Sequence, residues 1–140
     1  MNNKPVCIVS DLDGTLSIIK NRSPYDEAKC EQDEVNEPVR RTLDMFDDNG
    51  SYQIILCSGR DSGRGLEPTK RWLEKHGISY DEIYMRAGGD NRKDSIVKKE
   101  FLDIIKSKYE ILLWLDDRNQ VVRMLRDNGV TVFQVAPRDF

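Results

Sequence analysis

Five short apolar runs punctuate the chain, at residues 6–10, 52–57, 82–85, 111–115 and 131–135. Most are near-continuous rather than alternating. A strand that reads this way is covered on both faces, which is the condition of a strand inside a parallel sheet. Between the runs lie patterns of helical period: 37–48 with Val39, Leu43 and Phe46; from about 68 to 76–77; 93–107 with Ile96, Val97, Phe101, Leu102, Ile104 and Ile105; and 119–128 with Val121, Val122 and Leu125. Gly50, Gly77 and Gly129 follow three of them, where a left-handed residue closes a helix. Alternating strand and helix predict an α/β fold: an open, mainly parallel five-stranded sheet with helices on both faces.

At 140 residues the chain suits one domain, 1–140, able to bury a core without disulfides or a structural metal. Charged residues make up 34% and hydrophobic residues 38%, the balance of an ordinary soluble globular protein. A formal net charge of -3 neither forbids nor recommends a nucleic-acid partner, because charge distribution matters more than its sum. The three cysteines lack CxxC spacing, and Cys7 and Cys57 fall in apolar runs, so they read as buried small hydrophobes. There is no signal-peptide pattern and no bilayer-spanning run, which predicts a cytoplasmic location, or the host cytoplasm for a viral protein.

Ligands of open parallel sheets bind at the carboxyl ends of the strands. The first strand leads into Asp11-Leu12-Asp13-Gly14-Thr15, the second into Ser58-Gly59-Arg60, and the fourth into Asp116-Asp117; a loop after the third carries Asp90-Asn91-Arg92-Lys93-Asp94. The spacing of Asp11 and Asp13 aims both carboxylates to one side, with Leu12 turned into the core. With Asp116 and Asp117 they form an acidic cluster that needs a cation or must take up protons. Oxygen-only ligands favour Mg²⁺. Thr15, Ser58, Lys93 and the amides of Gly14 and Gly59 suit phosphate oxygens. In this reading Asp11 attacks phosphorus, Asp13 acts as acid and then base, and Lys93 with the cation offsets charge on the transferred group. Each motif taken singly has a plain structural explanation: a turn, a helix-terminal charge, a cap. Their joint placement after four strands carries the functional one.

The same residues resemble the four motifs of the haloacid dehalogenase superfamily of phosphotransferases. The stretches 11–17, Arg22 with Pro24-Tyr25-Asp26, Ser58-Gly59-Arg60 with Ser62-Gly63, Pro68-Thr69-Lys70, 89–94 with Val97-Lys98, Asp116-Asp117-Arg118 with Gln120-Val121-Val122, and Gln134-Val135-Ala136 with Asp139-Phe140 are similar, more narrowly, to the 3′-phosphatase domain of phage-type polynucleotide kinase/phosphatase. The resemblance implies removal of a terminal 3′-phosphate from DNA or RNA ends through an aspartyl-phosphate on Asp11. It implies metal binding by Asp11, the Asp13 backbone carbonyl and Asp117, with Asp116 in support. It places Ser58 and Lys93 on the phosphate, and Arg22, Arg60 and Asp90 around the substrate. No GxxxxGK[ST] loop is present, so 5′-kinase activity is not expected, and a separate kinase or ligase is a candidate partner.

The irregular stretch 17–33 is too short for a cap domain with its own core and is expected to form a small flap. An uncovered site suits a polymer end. The competing expectations are a capless phosphatase for a small phosphoester such as a nucleotide, and a receiver-like module that keeps its phosphoryl group. A cysteine phosphatase fails on spacing, since Cys57 lies too close to Arg60 and one residue too far from Arg64.

Overall fold

A computed structural model describes residues 3–139. Five parallel strands form the sheet: β1 (Val6–Asp11), β4 (Tyr52–Asp61), β5 (Glu82–Arg86), β6 (Glu110–Arg118) and β7 (Val132–Arg138). Their order is β5-β4-β1-β6-β7, with β1 at the centre. A two-stranded antiparallel ribbon, β2 (Ser17–Ile18) with β3 (Glu34–Val35), stands apart from it.

Period-two alternation in β1 assigns its side chains to two cores. Cys7 and Val9 join Ile55, Cys57 and Trp114 under α3 (Asp94–Lys108) and α4 (Asn119–Asp127). Ile8 and Leu12 join Ile54, Leu56 and Leu115 under α1 (Glu37–Asn49) and α2 (Ser62–Lys75). Trp72 and Trp114 are core residues on opposite faces. Each fully buried aliphatic side chain contributes roughly 1.5–3 kcal/mol of transfer free energy, so the two-sided burial of β1 is what fixes its central position. Crossing from β1 to β4 on one side and to β6 on the other leaves a topological break beside β1, and Asp11 ends that strand.

Two sequence expectations change. The helix expected from about residue 68 starts at Ser62, where the Asp61 carboxylate accepts the Gly63 amide as an N-cap. Gly63, Gly65 and Pro68 all disfavour a helix interior, which hides this first part from propensity. Packing overrides propensity here: a Cβ at Gly65 would stand 2.9 Å from Cβ of Glu27, so only glycine lets the flap approach α2. The flap, expected over 17–33, is the β2–β3 ribbon with a 3₁₀ helix (Glu27–Gln32) between its strands. It is docked by the Trp72 indole, which donates to the Asp33 carbonyl at 2.8 Å.

Candidate active site

Three carboxylates meet at the end of the central strands. Asp11 comes from β1, Asp116 and Asp117 from β6, and one oxygen of each lies within 4.8 Å of the others. All three are buried. Lys98, in the second turn of α3 and also buried, points its ammonium between them, 2.8 Å from Asp11 Oδ1 and 2.9 Å from Asp116 Oδ2. The Thr15 hydroxyl is 3.2 Å from Asp11 Oδ2 and 3.4 Å from Asp117 Oδ1.

The cluster is short of positive charge. Burial pushes the Asp11 carboxyl well above the usual carboxylate range, the neighbouring Asp116 charge adds to this, and Lys98 opposes it. Burial likewise raises Asp117. Burial alone would lower the Lys98 ammonium, but Asp11 and Asp116 together hold it well above its ordinary value, so it stays charged. Asp116 is the most tied of the three acids. Its Oδ1 accepts the backbone amides of Asp117 and Arg118, and its Oδ2 accepts Lys98 and, at 3.4 Å, the Trp114 indole.

Asp13 does not join them. Its side chain turns to two guanidinium groups: Arg60 Nη2 at 2.6 Å from Oδ1 and Arg22 Nη2 at 3.0 Å. Burial alone would raise its carboxyl, but Arg60 outweighs that with help from Arg22 and Ser17, and Asp13 sits below the usual range. Expecting four converging acid side chains was therefore wrong for residue 13; the arginines supply the counter-charge that the cluster lacks. Asp33, in the flap, holds the same two arginines from the other side, at 2.7 Å to Arg22 and 3.2 Å to Arg60. Arg60 also donates to Thr69 of α2 at 2.8 Å. Arg22 and Arg60, expected around a substrate, do line the cleft, and their guanidinium groups are also the fixed frame that aims Asp13.

The remaining expected residues divide. Ser58 is buried in the second half of β4 with its hydroxyl accepting the Arg60 amide at 3.1 Å. Gly59 lines the cleft because nothing larger fits: a Cβ there would lie 2.3 Å from Asp94 Oδ1. Gly14 has φ +81, and a Cβ on it would stand 2.1 Å from Asp117 Oδ2. Asp90 and Lys93 line the cleft, but neither reaches the acids. Hydrogen bonds from Arg92 hold the Asp90 carboxyl at about 2. Lys93 is the exposed residue just before α3. The lysine on the carboxylates is Lys98, and the acid one turn before it, Asp94, is buried and paired with Arg86 at 3.3 Å and Arg118 at 3.4 Å. A signal for this exists in the sequence. Residues 94, 98, 102 and 105 fall on one helical stripe, and a lysine amid Val97, Leu102 and Ile105 is placed to be buried.

These groups border an open cleft of about 890 Å³, with Arg64, Tyr25 and Arg138 at its edge. Arg64 pairs with Glu27 at 3.3 Å, and Tyr25 is largely exposed. Cys57 lies beneath the cleft, fully buried, its thiol pushed well up by burial, which removes it as a nucleophile.

A family model described as the phosphatase domain of polynucleotide kinase PNKP matches residues 5–140. The chain belongs to this family. It is a phosphatase domain of the haloacid dehalogenase type. A protein of Autographa californica nuclear polyhedrosis virus, named as a bifunctional polynucleotide kinase/RNA ligase, is 36% identical over 140 residues, which cover 97% of this chain and 20% of that protein. Two solved structures of a Pnkp1/Rnl/Hen1 complex, one titled as an RNA repair complex, each contain a chain 44% identical with a TM-score of 0.94; the matches cover all of this chain and 49% or 45% of theirs. The phosphatase domain thus spans half or less of the length of these relatives. The haloacid dehalogenase domain of the Legionella pneumophila effector Lem4, at 17% identity and TM-score 0.54, shares the fold. In this phosphatase domain the place of a large cap is taken by the ribbon and 3₁₀ helix.

Proposed function

We propose that the domain is a Mg²⁺-dependent polynucleotide 3′-phosphatase that works through an aspartyl-phosphate on Asp11. The observation that carries this reading is the division of labour between two acids two residues apart. Asp11 lies within the buried three-carboxylate cluster beside Lys98, and Asp13 is held away from that cluster by Arg60 and Arg22.

The donor set fits a small hard cation. Three carboxylates of one cluster, with a single buried ammonium among them, leave negative charge that a divalent ion would balance. Asp11, Asp117 and the Asp13 backbone carbonyl would hold it, with Asp116 fixed by its four hydrogen bonds as support. When bound, the cation offsets charge on the transferred phosphoryl group.

The chain's own groups do the rest. Asp11 Oδ attacks phosphorus, and the bond to the substrate's 3′-oxygen breaks. Asp13 gives that oxygen a proton and then recovers one from the water that cleaves the acyl phosphate. Lys98, Thr15, Ser58 and the Gly59 backbone surround the phosphoryl oxygens. The base half suits the ionised Asp13 of the free domain, and the acid half is favoured as pH falls.

The uncapped cleft supports a polymer end as substrate, because a chain must leave the site in at least one direction. DNA or RNA ends bearing a 3′-phosphate are the substrates, with a kinase or ligase unit acting on the product. Phosphate release from a 3′-phosphorylated oligonucleotide, a 5′-phosphorylated one and a mononucleotide tests this. Faster turnover of the mononucleotide or of the 5′-phosphate would overturn the substrate assignment.

A further inference from the structure

Arg138 ends β7, and the parallel register sets it opposite Arg118 of β6. Two like charges on adjacent strands are unfavourable unless each has an anion. Here each does: Arg118 Nη1 lies 3.4 Å from Asp94, and Arg138 Nε lies 3.3 Å from Asp117 Oδ2. Both arginines border the cleft, and the Arg138 side chain is 50% exposed. Its partner is the unusual part. Asp117 is one of the three clustered carboxylates suited to a divalent cation. A half-exposed arginine and a cation would thus draw on one carboxylate.

We propose that Arg138 is a transferable clamp, which pairs with Asp117 in competition with a divalent cation and, when displaced, binds the internucleotide phosphate next to the substrate's terminal phosphate. The charge logic is direct. A cation on Asp117 cancels the attraction that holds Arg138 and adds repulsion of like sign. The displaced guanidinium stays on the cleft edge, where a bidentate phosphate contact is its natural alternative. Asp117 itself stays in place because the Gln134 side-chain amide donates to its backbone carbonyl at 3.1 Å and Gly14 packs against its carboxylate. The phosphate half of the proposal rests on the polynucleotide reading above; the competition half does not.

The test uses Arg138→Ala and Arg138→Lys. Mn²⁺ affinity is measured by calorimetry on each protein, and kcat/KM is measured for a 3′-phosphorylated dinucleotide and for a nucleoside 3′-monophosphate. The expected result is Mn²⁺ binding several-fold tighter in Arg138→Ala than in the wild type, with Arg138→Lys between them. The preference for the dinucleotide over the monophosphate should fall about tenfold in Arg138→Ala, the size of one charge-assisted phosphate contact. Equal or weaker Mn²⁺ binding by Arg138→Ala would overturn the competition and leave Arg138 as a support for Asp117. An unchanged preference would overturn the clamp. A wild-type protein that binds Mn²⁺ but attacks neither 3′-phosphate marks failure of the polynucleotide reading, and the Mn²⁺ comparison still decides the competition.

Discussion

The Nζ atom of Lys98 lies 2.8 Å from Oδ1 of Asp11, and both residues are almost wholly withdrawn from solvent. A buried ammonium among Asp11, Asp94 and Asp116 is the internal counter-ion of the site. Removing that one cation strands the buried carboxylates around it, at a cost of about 3–5 kcal/mol. Lys98→Ala should therefore abolish phosphate release and lower the unfolding midpoint in chelator, as read by thermal denaturation. Lys93→Ala, at the exposed start of α3, should cost activity only a few-fold. Equal losses in the two variants would return the role to Lys93.

The raised Asp11 carboxyl makes a stability prediction with a definite sign. Its neutral form is favoured by the folded state, so its contribution is greatest below the unfolded carboxyl value of 3.8 and is lost as pH rises through its higher folded value. Asp11→Asn removes that loss. In chelator at neutral pH the variant should unfold at a higher temperature than the wild type while releasing no phosphate. Adding Mg²⁺ should raise the wild-type midpoint more than the variant's. A variant that unfolds earlier in chelator would show that Asp11 stabilises as an anion.

Asp13→Ala separates the two chemical halves. A substrate with a good leaving group, such as p-nitrophenyl phosphate, needs no proton from residue 13 in the first step, whereas the water in the second step needs a base. The variant should show a burst of nitrophenol and a phosphoryl adduct on Asp11, detectable by acid quench and mass spectrometry. Steady turnover at the wild-type rate without an adduct would remove Asp13 from the mechanism.

Gly14→Ala tests how closely the loop approaches the acids. The residue has φ +81, a conformation that costs a side-chain-bearing residue roughly 1–2 kcal/mol, and its new Cβ would displace the Asp117 carboxylate. Activity and Mn²⁺ affinity should both fall by more than about tenfold. Gly50→Ala shares the positive φ but has open space around it, at the end of α1. It should show the backbone cost in thermal unfolding and leave turnover intact.

Much of the fold is already legible in the chain. The runs at 6–10 and 52–57 are near-continuous because β1 and β4 are covered on both faces, and the acids of motif 11–15 and 116–117 follow apolar runs that a parallel sheet must bring to one edge. Gly50, Gly77 and Gly129 do adopt positive φ just past the helices they follow. The start of α2 was hidden because Gly65 answers to Glu27, a residue far away in sequence.

By itself, then, the order of apolar runs and acidic strand ends determined a parallel sheet with Asp11, Asp116 and Asp117 at its rim. That follows because strand burial and strand direction are local consequences of pattern. The helical stripe through Lys98 only hinted at which lysine is buried, and the tertiary structure decided that it reaches the acids, that Asp13 faces Arg60 and Arg22 instead of the cluster, and that Arg138 touches Asp117. Those choices depend on helix phase and on side chains 9, 47 and 21 residues apart meeting across the cleft, distances over which spacing carries no direction.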